Sequence, residues 1–285
     1  MNVFFNQLLA TWQTELNEIY SERETKNIFI LTLEDCFGIT KTQLIAESIS
    51  ELSPTDLAQL NAVKVRLLQH EPYQHIVGFT YFAGLKIQVN QHVLIPRPET
   101  EELVDWISTD FKNIEDLHLV DWCTGSGCIA LALKAAHPSW SITAIDVSTD
   151  ALQVAQKNGE RNKLSISWLQ DDLLQPAFQQ KCSVIVSNPP YIPTVEQAEM
   201  DKHVLAFEPH LALFVPNEDP LLFYRLLAQW AKKNLIENGC VYLEIHHEFS
   251  VEMKSLLEEM GFADIEVRHD LQGKSRMMKA VNKTV

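Results

Sequence analysis

The segment at residues 119–130 constrains the fold more than any other part of this chain. An apolar run ends at Trp122, a tight loop with Gly125 and Gly127 follows, and a helix is predicted over Cys128–Ala136. Glycine lets the backbone approach a ligand closely, and the start of a helix offers free N–H groups and the positive end of its dipole. This arrangement predicts an α/β fold that binds a ligand at the carboxyl end of the strand.

Two acidic residues indicate which ligand the loop binds. The glycine spacing alone is a weak signal, because it also matches the fingerprint of dinucleotide-binding proteins, in which the loop holds phosphate. Asp121 argues against phosphate, since its carboxylate suits the ammonium group of an amino-acid-like ligand. Asp146 closes the next strand, nineteen positions after Gly127, where doubly wound folds place the carboxylate that binds ribose hydroxyls. Ribose and ammonium together indicate S-adenosylmethionine.

A second motif, Asn188-Pro189-Pro190-Tyr191, directly follows the apolar run Cys182–Ser187. The Asn188 side-chain oxygen and a neighbouring backbone carbonyl can both accept hydrogen bonds from one NH2 group. Proline restricts φ and so holds that carbonyl in place, while Tyr191 can stack on a flat group. The motif predicts a pocket for an amide or an aromatic amine. Taken alone it could also be a strand-terminating turn, since Asn and Pro are common in turns.

The rest of the chain alternates between strand and helix signals. Strands are expected near residues 117–122, 141–146, 165–170, 182–187, 239–245, 263–269 and 275–281, with helices between most of them. This alternation predicts an α/β fold with a seven-stranded, mainly parallel, Rossmann-like sheet and helices on both faces. Both motifs then fall at the carboxyl ends of strands, where open α/β sheets bind their ligands.

The first seventy or so residues have a different pattern, with apolar residues at helical spacing and no glycine-rich loop. Ser53 and Pro54 predict the start of a helix that runs to about Glu71. We expect a helical domain over residues 1–72, a linker with a β-hairpin over 73–96, and the α/β domain over 97–285. The helical domain is interpreted as a substrate-recognition domain or as a stabilising cap.

Composition and charge restrict the partners. The 285 residues include 38 Asp and Glu against 23 Lys and Arg, a formal net charge of −15. An acidic surface repels polynucleotides, so a protein substrate is favoured over DNA or RNA. No apolar stretch is long enough to span a bilayer, the amino terminus lacks the features of a secretory signal, and the five scattered cysteines suit reduced thiols. We therefore expect a cytoplasmic protein without membrane contact, and a monomer by default.

No metal site is expected from the sequence. His246 and His247 have no third ligand at a useful spacing, and Glu248 does not complete an H-E-x-x-H motif.

The chain resembles the class I S-adenosylmethionine-dependent methyltransferases, and within them the peptide chain release factor glutamine methyltransferase family. Three segments carry the resemblance: N-P-P-Y at 188–191, D-W-C-T-G-S-G at 121–127 and L-I-P-R-P-E-T-E-E at 94–102. The similarity extends from about Pro72 to the carboxyl terminus. The departures are Trp122-Cys123 in place of Leu-Gly, and Glu244-Ile245-His246-His247 in place of a Glu-Ile-Gly strand exit.

The resemblance implies methyl transfer from S-adenosylmethionine to the side-chain amide nitrogen of the Gln in the Gly-Gly-Gln motif of release factors, which dock partly on the helical domain. Asn188, Pro189 and Tyr191 are then catalytic, and together with Pro190 they bind the substrate. It implies that Asp172 lies near the adenine amino group, that Leu173 lies against the ring, and that the last strand runs antiparallel. The expected cofactor residues are Asp121, Cys123, Thr124, Gly125, Ser126, Gly127, Asp146, Asp172, Leu173 and Asn188.

Three other functions remain open. The nearest is a ribosomal protein glutamine methyltransferase, against which R-P-E-T-E-E at 97–102 argues. An adenine methyltransferase of DNA or RNA shares N-P-P-Y but lacks that run, and the charge disfavours it. A catalytically silent cofactor-binding scaffold would have no chemical reason to keep Asn188.

Two individual residues also have an alternative, purely structural role. Asp146 could cap the helix that follows it. Residues 97–100 could be only the start of a helix with Thr100 as its cap.

Overall fold

The computed structural model describes residues 1–49 and 51–283, and its contacts divide the chain into two compact units. The first unit comprises Met1–Gly78 and Asp201–Phe207, and the second comprises the described residues Phe79–Met200 and those from Glu208 onwards. The α-helices are α1 (Val3–Leu16), α2 (Glu22–Phe37), α3 (Lys41–Ile45), α4 (Pro54–Leu68), α5 (Tyr73–Val77), α6 (Pro98–Asp110), α7 (Cys128–Ala136), α8 (Thr149–Asn162), α9 (Lys202–Phe207), α10 (Leu222–Asn234) and α11 (Ser250–Glu259). The β-strands are β1 (Phe79–Phe82), β2 (Leu85–Gln88), β3 (His118–Trp122), β4 (Ser141–Asp146), β5 (Ser167–Gln170), β6 (Cys182–Ser187), β7 (Ile192–Pro193), β8 (Phe214–Val215), β9 (Leu235–Glu244), β10 (Ala263–His269) and β11 (Ser275–Val281).

Helices α1 to α5 and α9 form the first unit. Its core contains the buried aromatic residues Phe5, Trp12 and Phe29, of which Trp12 and Phe29 pack edge to face. Ser53 caps α4 and Pro54 occupies its first turn, as the sequence predicted.

This helical unit is larger than the predicted domain 1–72. Helix α5 packs on α2 and α4, and the Tyr73 hydroxyl donates to Asp35 at 2.7 Å. The unit therefore continues to Gly78, where α5 ends in the left-handed region at φ 80°. It also takes in Asp201–Phe207, which the sequence placed in the α/β domain.

A seven-stranded sheet dominates the second unit, in the order β10-β11-β9-β6-β3-β4-β5. Strand β11 runs antiparallel to both β10 and β9, and the other neighbours pair in parallel. The predicted mainly parallel sheet with an antiparallel last strand is thus confirmed.

The central strands β3, β4 and β6 are buried on both faces, which explains their nearly continuous apolar sequences. Along β6, Val184 and Val186 pack in one core and Ile185 packs in the other. Residues of α6, α7 and α8 belong to the first of these cores, and residues of α10 and α11 belong to the second.

The hairpin β1–β2 belongs to the second unit, whereas the sequence placed it in a linker between domains. Asn158 on α8 is fully buried and explains this position. Its Oδ1 accepts the Gln88 backbone N–H at 2.6 Å, and its Nδ2 donates to the carbonyls of Gln88 and Ser126, each at 3.0 Å. One amide thereby joins the hairpin to the glycine-rich loop.

Parallel pairing brings the carboxyl ends of β3, β4 and β6 to the same edge of the sheet. The Ser187 hydroxyl, at the end of β6, donates to the Trp122 carbonyl at 2.6 Å. Both sequence motifs therefore begin at this edge. No helix within residues 1–49 and 51–283 combines the length and the apolar character that crossing a bilayer requires.

Candidate active site

A cavity of about 310 Å³ lies at the carboxyl ends of β3, β4 and β6. The predicted site residues that line it are Cys123, Thr124, Gly125, Ser126, Asp146, Asp172, Leu173, Asn188 and Pro190. Asp121, Gly127, Pro189 and Tyr191 do not line it. The fold therefore brings the glycine-rich loop and the N-P-P-Y motif to one cavity, although four of the predicted residues are not part of its lining.

Two further loops line the cavity without having been predicted. They contribute Gln91, His92, Val93 and Leu94 from one segment and Pro209, Leu211 and Ala212 from another, together with Phe223 at the start of α10. These loops have no periodic pattern and no motif, and only Leu94 opens a run that the sequence singled out. Both loops are distant in sequence from the two motifs, and only the folded chain brings them to this edge of the sheet.

The glycine-rich loop has three residues in the left-handed region. Cys123, Gly125 and Gly127 have φ values of 60°, 54° and 79°. The conformation of Cys123 is one that glycine adopts without strain, which fits the Leu-Gly of the family pattern. At Gly127 space also requires glycine, because an added Cβ would lie 2.9 Å from the Trp168 ring.

Asp121 lies beneath this loop with 0% exposure. Its Oδ2 accepts the Thr124 hydroxyl at 2.6 Å, and its Oδ1 has no hydrogen-bond partner among the described residues. Burial raises the pKa of the carboxyl to about 7, while the Thr124 hydrogen bond opposes that rise. A buried acceptor without a partner is costly, so this oxygen is suited to a cationic ligand group.

Asp146 ends β4 and lines the cavity. Its Oδ2 accepts the Gly125 N–H at 2.8 Å and its Oδ1 accepts the Ser148 N–H at 2.9 Å. Burial raises the pKa of Asp146, and these two backbone hydrogen bonds oppose the rise. The N-cap of α8 is Ser148, whose side chain accepts from Ala151, so the alternative role of Asp146 as that cap was wrong.

The acidic loop after β5 forms another part of the wall. Asp171 Oδ2 accepts the Phe178 N–H at 2.7 Å, and Asp172 Oδ1 accepts the Leu174 N–H at 2.9 Å. Asp172 and Leu173 line the cavity, and Leu173 is 4% exposed. This loop thus offers one carboxylate and one apolar side chain side by side.

The N-P-P-Y motif turns directly out of β6. Asn188 is half-buried at the cavity wall, and its side-chain amide has no hydrogen-bond partner among the described residues. The Tyr191 hydroxyl instead donates to Glu244 Oε1 at 3.1 Å, and burial raises the pKa of this phenol. An amide group is therefore free to bind a ligand, with an anchored aromatic ring three positions after it.

The run at 94–102 contributes Arg97 and Thr100 to the cavity wall. Arg97 Nη2 donates to the buried Glu208 Oε1 at 2.6 Å. Thr100 does not cap α6, because its hydroxyl donates to Glu244 Oε2 at 2.6 Å and the N-cap Arg97 makes no side-chain cap. The capping role predicted for Thr100 was therefore wrong.

The fold also brings together three side chains able to ligate a cation, Glu196, His246 and Glu248, with ligand atoms within 4.8 Å of one another. The sequence could not show this group, because Glu196 lies fifty positions before His246. His246 Nε2 lies 3.3 Å from Glu196 Oε2, and His246 Nδ1 accepts the backbone N–H of Glu248 at 3.3 Å. Since Nδ1 is an acceptor, the neutral ring carries its proton on Nε2 and donates it to Glu196. Both ring nitrogens are thus engaged by protein groups.

Two protein-family models match the chain. A methyltransferase small domain matches residues 100–206, and a PrmC N-terminal domain matches residues 7–78. Among curated relatives, the release factor glutamine methyltransferase of Flavobacterium psychrophilum is 40% identical over 95% of this chain and 98% of its own length. That of Bacteroides thetaiotaomicron is 37% identical over 96% of this chain and 99% of its own length.

The chain belongs to the release factor glutamine methyltransferase family. Solved structures agree on the fold of this family member. A methyltransferase from Pyrococcus furiosus has a TM-score of 0.53 at 16% identity, over 79% of this chain and all of that one. The hMettl16 catalytic domain, solved in complex with an RNA hairpin, has a TM-score of 0.56 at 17% identity, over 79% of this chain and 80% of that one. At these identities the likeness concerns the fold alone.

As a member of the release factor glutamine methyltransferase family, this chain is an S-adenosylmethionine-dependent enzyme. The residues present fit that cofactor. Asp121 Oδ1 is a buried acceptor without a partner among the described residues. Gly125 lines the cavity, and nothing lies within 4 Å of the place where its Cβ would stand, so the loop is open to close approach there.

Proposed function

We propose that this chain transfers a methyl group from S-adenosylmethionine to the side-chain amide nitrogen of the Gln in the Gly-Gly-Gln motif of peptide chain release factors. The observation that carries the proposal is the Asn188 amide, which lies at the cavity wall directly after β6 without a partner among the described residues. The names of the relatives support the substrate.

The amide nitrogen of Gln is a poor nucleophile, because its lone pair is delocalised into the carbonyl. Asn188 Oδ1 accepts one N–H of this amide and the Pro189 carbonyl accepts the other, which orients the nitrogen and raises its electron density as charge develops. S-adenosylmethionine supplies an electrophilic methyl group on its sulfonium. Positioning therefore contributes more than general base catalysis, and Pro190 and Tyr191 keep the shape of the loop that carries Asn188.

We assign the cofactor groups to separate parts of the cavity. Asp146 binds the ribose hydroxyls, and Asp121 attracts the ammonium group directly or through water. Asp172 accepts from the adenine amino group, and Leu173 packs against the ring. The backbone and side chains of residues 123–127 surround the remainder of the cofactor.

We further propose that the enzyme is a cytoplasmic monomer that acts on protein rather than on nucleic acid or at a membrane. The net charge of −15 supports a protein substrate, since a polynucleotide would be repelled over most of the surface. The helical unit has no predicted cofactor residue and is assigned to docking of the release factor.

The test incubates the purified enzyme with methyl-labelled S-adenosylmethionine and, separately, with an unmethylated release factor, ribosomal protein or duplex DNA. Peptide mass spectrometry then locates the label. We expect label on the Gln of the Gly-Gly-Gln motif, and none with an Asn188→Ala variant. Label on ribosomal protein or DNA alone would overturn the substrate while leaving the fold and the cofactor in place.

A further inference from the structure

Glu244, the last residue of β9, joins two segments that are far apart in the sequence. Its side chain is deeply buried, and the residue is 2% exposed. Oε2 accepts the Thr100 hydroxyl at 2.6 Å, and Oε1 accepts the Tyr191 hydroxyl at 3.1 Å. Thr100 lies in the cavity wall at the start of α6, whereas Tyr191 ends the N-P-P-Y motif. One carboxylate therefore connects the wall of the cofactor cavity to the loop that carries Asn188.

A further tyrosine, Tyr224, and the ring of His246 help to define this position. The Tyr224 hydroxyl on α10 donates to the Glu244 backbone carbonyl at 3.1 Å and accepts the His246 N–H at 3.3 Å. These two hydrogen bonds fix the backbone at the end of β9, next to the Glu244 side chain. Tyr191 in turn packs its ring edge against His246, with ring centroids 5.9 Å apart.

The arrangement depends on an acceptor with two equivalent oxygens. Both hydroxyls donate, and an ionised carboxylate is a pure acceptor that satisfies both of them. Burial raises the pKa of Glu244, whereas the Thr100 hydrogen bond, the charge of Arg276 and the Tyr191 hydrogen bond oppose that rise. A glutamine of the same shape would present an NH2 group to one hydroxyl, which would then have to accept instead of donate and to turn its O–H away.

We propose that Glu244 is a positioning residue for methyl transfer, which fixes the Tyr191 ring and through it the Asn188 loop against the cavity wall at Thr100. This role rests on the proposed function, because it assigns the loop to the substrate amide. Glu244 does not line the cavity, so it acts through Tyr191 and Thr100 rather than by touching substrate or cofactor.

The strand offers a matched control for the Glu244–Tyr191 pair. Two positions earlier on β9, the Tyr242 hydroxyl donates to Asp110 Oδ2 at 2.6 Å, and neither residue lines the cavity. Tyr242→Phe therefore removes a half-buried tyrosine–carboxylate hydrogen bond from the same strand without affecting the proposed connection.

The experiment compares Glu244→Gln, Tyr191→Phe, the double variant and Tyr242→Phe by steady-state methylation of a release factor. We expect Glu244→Gln and Tyr191→Phe each to lower kcat by about 10-fold to 100-fold, with KM for both substrates within about threefold of wild type. The double variant should lose no more than the worse single variant, because both changes break one connection. Tyr242→Phe should keep its kcat.

Other outcomes would overturn the proposal. These are an unchanged kcat in Tyr191→Phe, losses that multiply in the double variant, or a loss in Tyr242→Phe as large as in Tyr191→Phe. Tyr191→Phe removes only one hydroxyl, so it decides the matter even if Glu244→Gln fails to fold. If wild-type enzyme leaves the release factor unlabelled, the proposed function fails instead, and the two failures are distinguishable.

Discussion

At the residue scale, Asp121 is a fully buried carboxyl next to the cavity. Its pKa of about 7 lies well above the usual value for a carboxyl, because burial disfavours the charged form and the nearby charge of Asp146 adds to the rise, while hydrogen bonds from the Thr124 hydroxyl and the Ala130 backbone oppose it. A carboxyl whose pKa is raised on folding holds its proton more tightly in the folded state. In the cofactor-free protein it therefore lowers stability progressively as pH rises from about 4 towards about 7.

The same shift predicts how cofactor binding depends on pH. An ammonium group favours the ionised carboxylate, so the affinity for S-adenosylmethionine should increase as pH rises through about 7. Affinity should fall again above about 8, where the α-amino group of the cofactor loses its charge. Isothermal titration calorimetry across this pH range measures both the rise and the fall in affinity.

In Asp121→Asn the increase in cofactor affinity towards pH ~7 should be smaller. The increase that remains should come from Asp146, whose pKa is also raised by burial. Asp110→Asn, a change outside the cavity, should keep the wild-type profile. An unaltered increase in affinity in Asp121→Asn would show that Asp121 does not face the ammonium group.

Asn188 and Asp146 should separate turnover from cofactor binding. Asn188→Ala should abolish methyl transfer while leaving the Kd for S-adenosylmethionine nearly unchanged, because the amide is assigned to the substrate. Asp146→Ala should weaken cofactor binding first, since it removes the ribose ligand and the acceptor of the Gly125 N–H. Equal losses of affinity in the two variants would contradict separate roles, and isothermal titration measures them directly.

At the scale of elements, the hairpin β1–β2 shows how a structure outside the sheet supports the cofactor loop. Asn158 connects Gln88 of the hairpin to the carbonyl of Ser126, which lines the cavity. The hairpin pairs through only four residues on each strand, so it depends on such external contacts for stability.

Removal of this amide should therefore affect both stability and binding. Asn158→Ala removes the partner of the buried Ser126 carbonyl and of the half-buried N–H and carbonyl of Gln88, which should cost about 2–4 kcal/mol of unfolding free energy. It should also weaken cofactor binding, because the Ser126 carbonyl loses its hydrogen bond and Ser126 lines the cavity. Denaturant unfolding and calorimetric binding measure the two effects.

Asn162→Ala is the matched control on the same helix. Its amide donates to the Lys86 carbonyl and to the Asn158 carbonyl but not to the loop. It should lose less stability and keep the cofactor affinity. A similar loss of affinity in both variants would argue against the connection through Ser126.

The central strands β3, β4 and β6 could be predicted because they are buried on both faces and appear as compact apolar runs. The bounds of β4 and β6 and of α7 agree with the sequence prediction residue by residue. The walls from residues 91–94 and from Pro209, Leu211 and Ala212 could not be predicted, because an irregular loop and a single 3-10 turn are too short to show a period. Likewise the pairs Thr100–Glu244 and Tyr191–Glu244 join residues 144 and 53 positions apart, which no local pattern reveals.

At the scale of the whole molecule, every residue that lines the cavity belongs to the second unit. A ligand that binds only the folded state stabilises the region that holds it, by about 2.7 kcal/mol at a hundredfold excess over Kd. Saturating S-adenosylmethionine should therefore slow hydrogen exchange in residues 119–130, around Asp146 and in residues 170–174. Exchange in residues 1–78 should stay as in the free enzyme.

Hydrogen-exchange mass spectrometry of the intact enzyme checks this expectation peptide by peptide. The converse measurement adds a release factor without cofactor. Because the helical unit is assigned to docking, exchange should then slow in that unit. Equal protection of both units by the cofactor alone would show that they respond as one.

The helical unit is discontinuous in sequence, because it includes α9, which follows the N-P-P-Y motif along the chain. His203 on α9 bonds through Nδ1 to the His70 carbonyl at 2.7 Å, and its ring lies 5.5 Å from that of Tyr20. Between Gly78 and Asp201 a ribosome must add the 122 residues numbered 79 to 200, which takes about 6–24 s at ~5–20 residues per second. The amino-terminal helices therefore leave the ribosome long before their last partner is made, and the nascent chain cannot finish its first unit until most of its second has been translated.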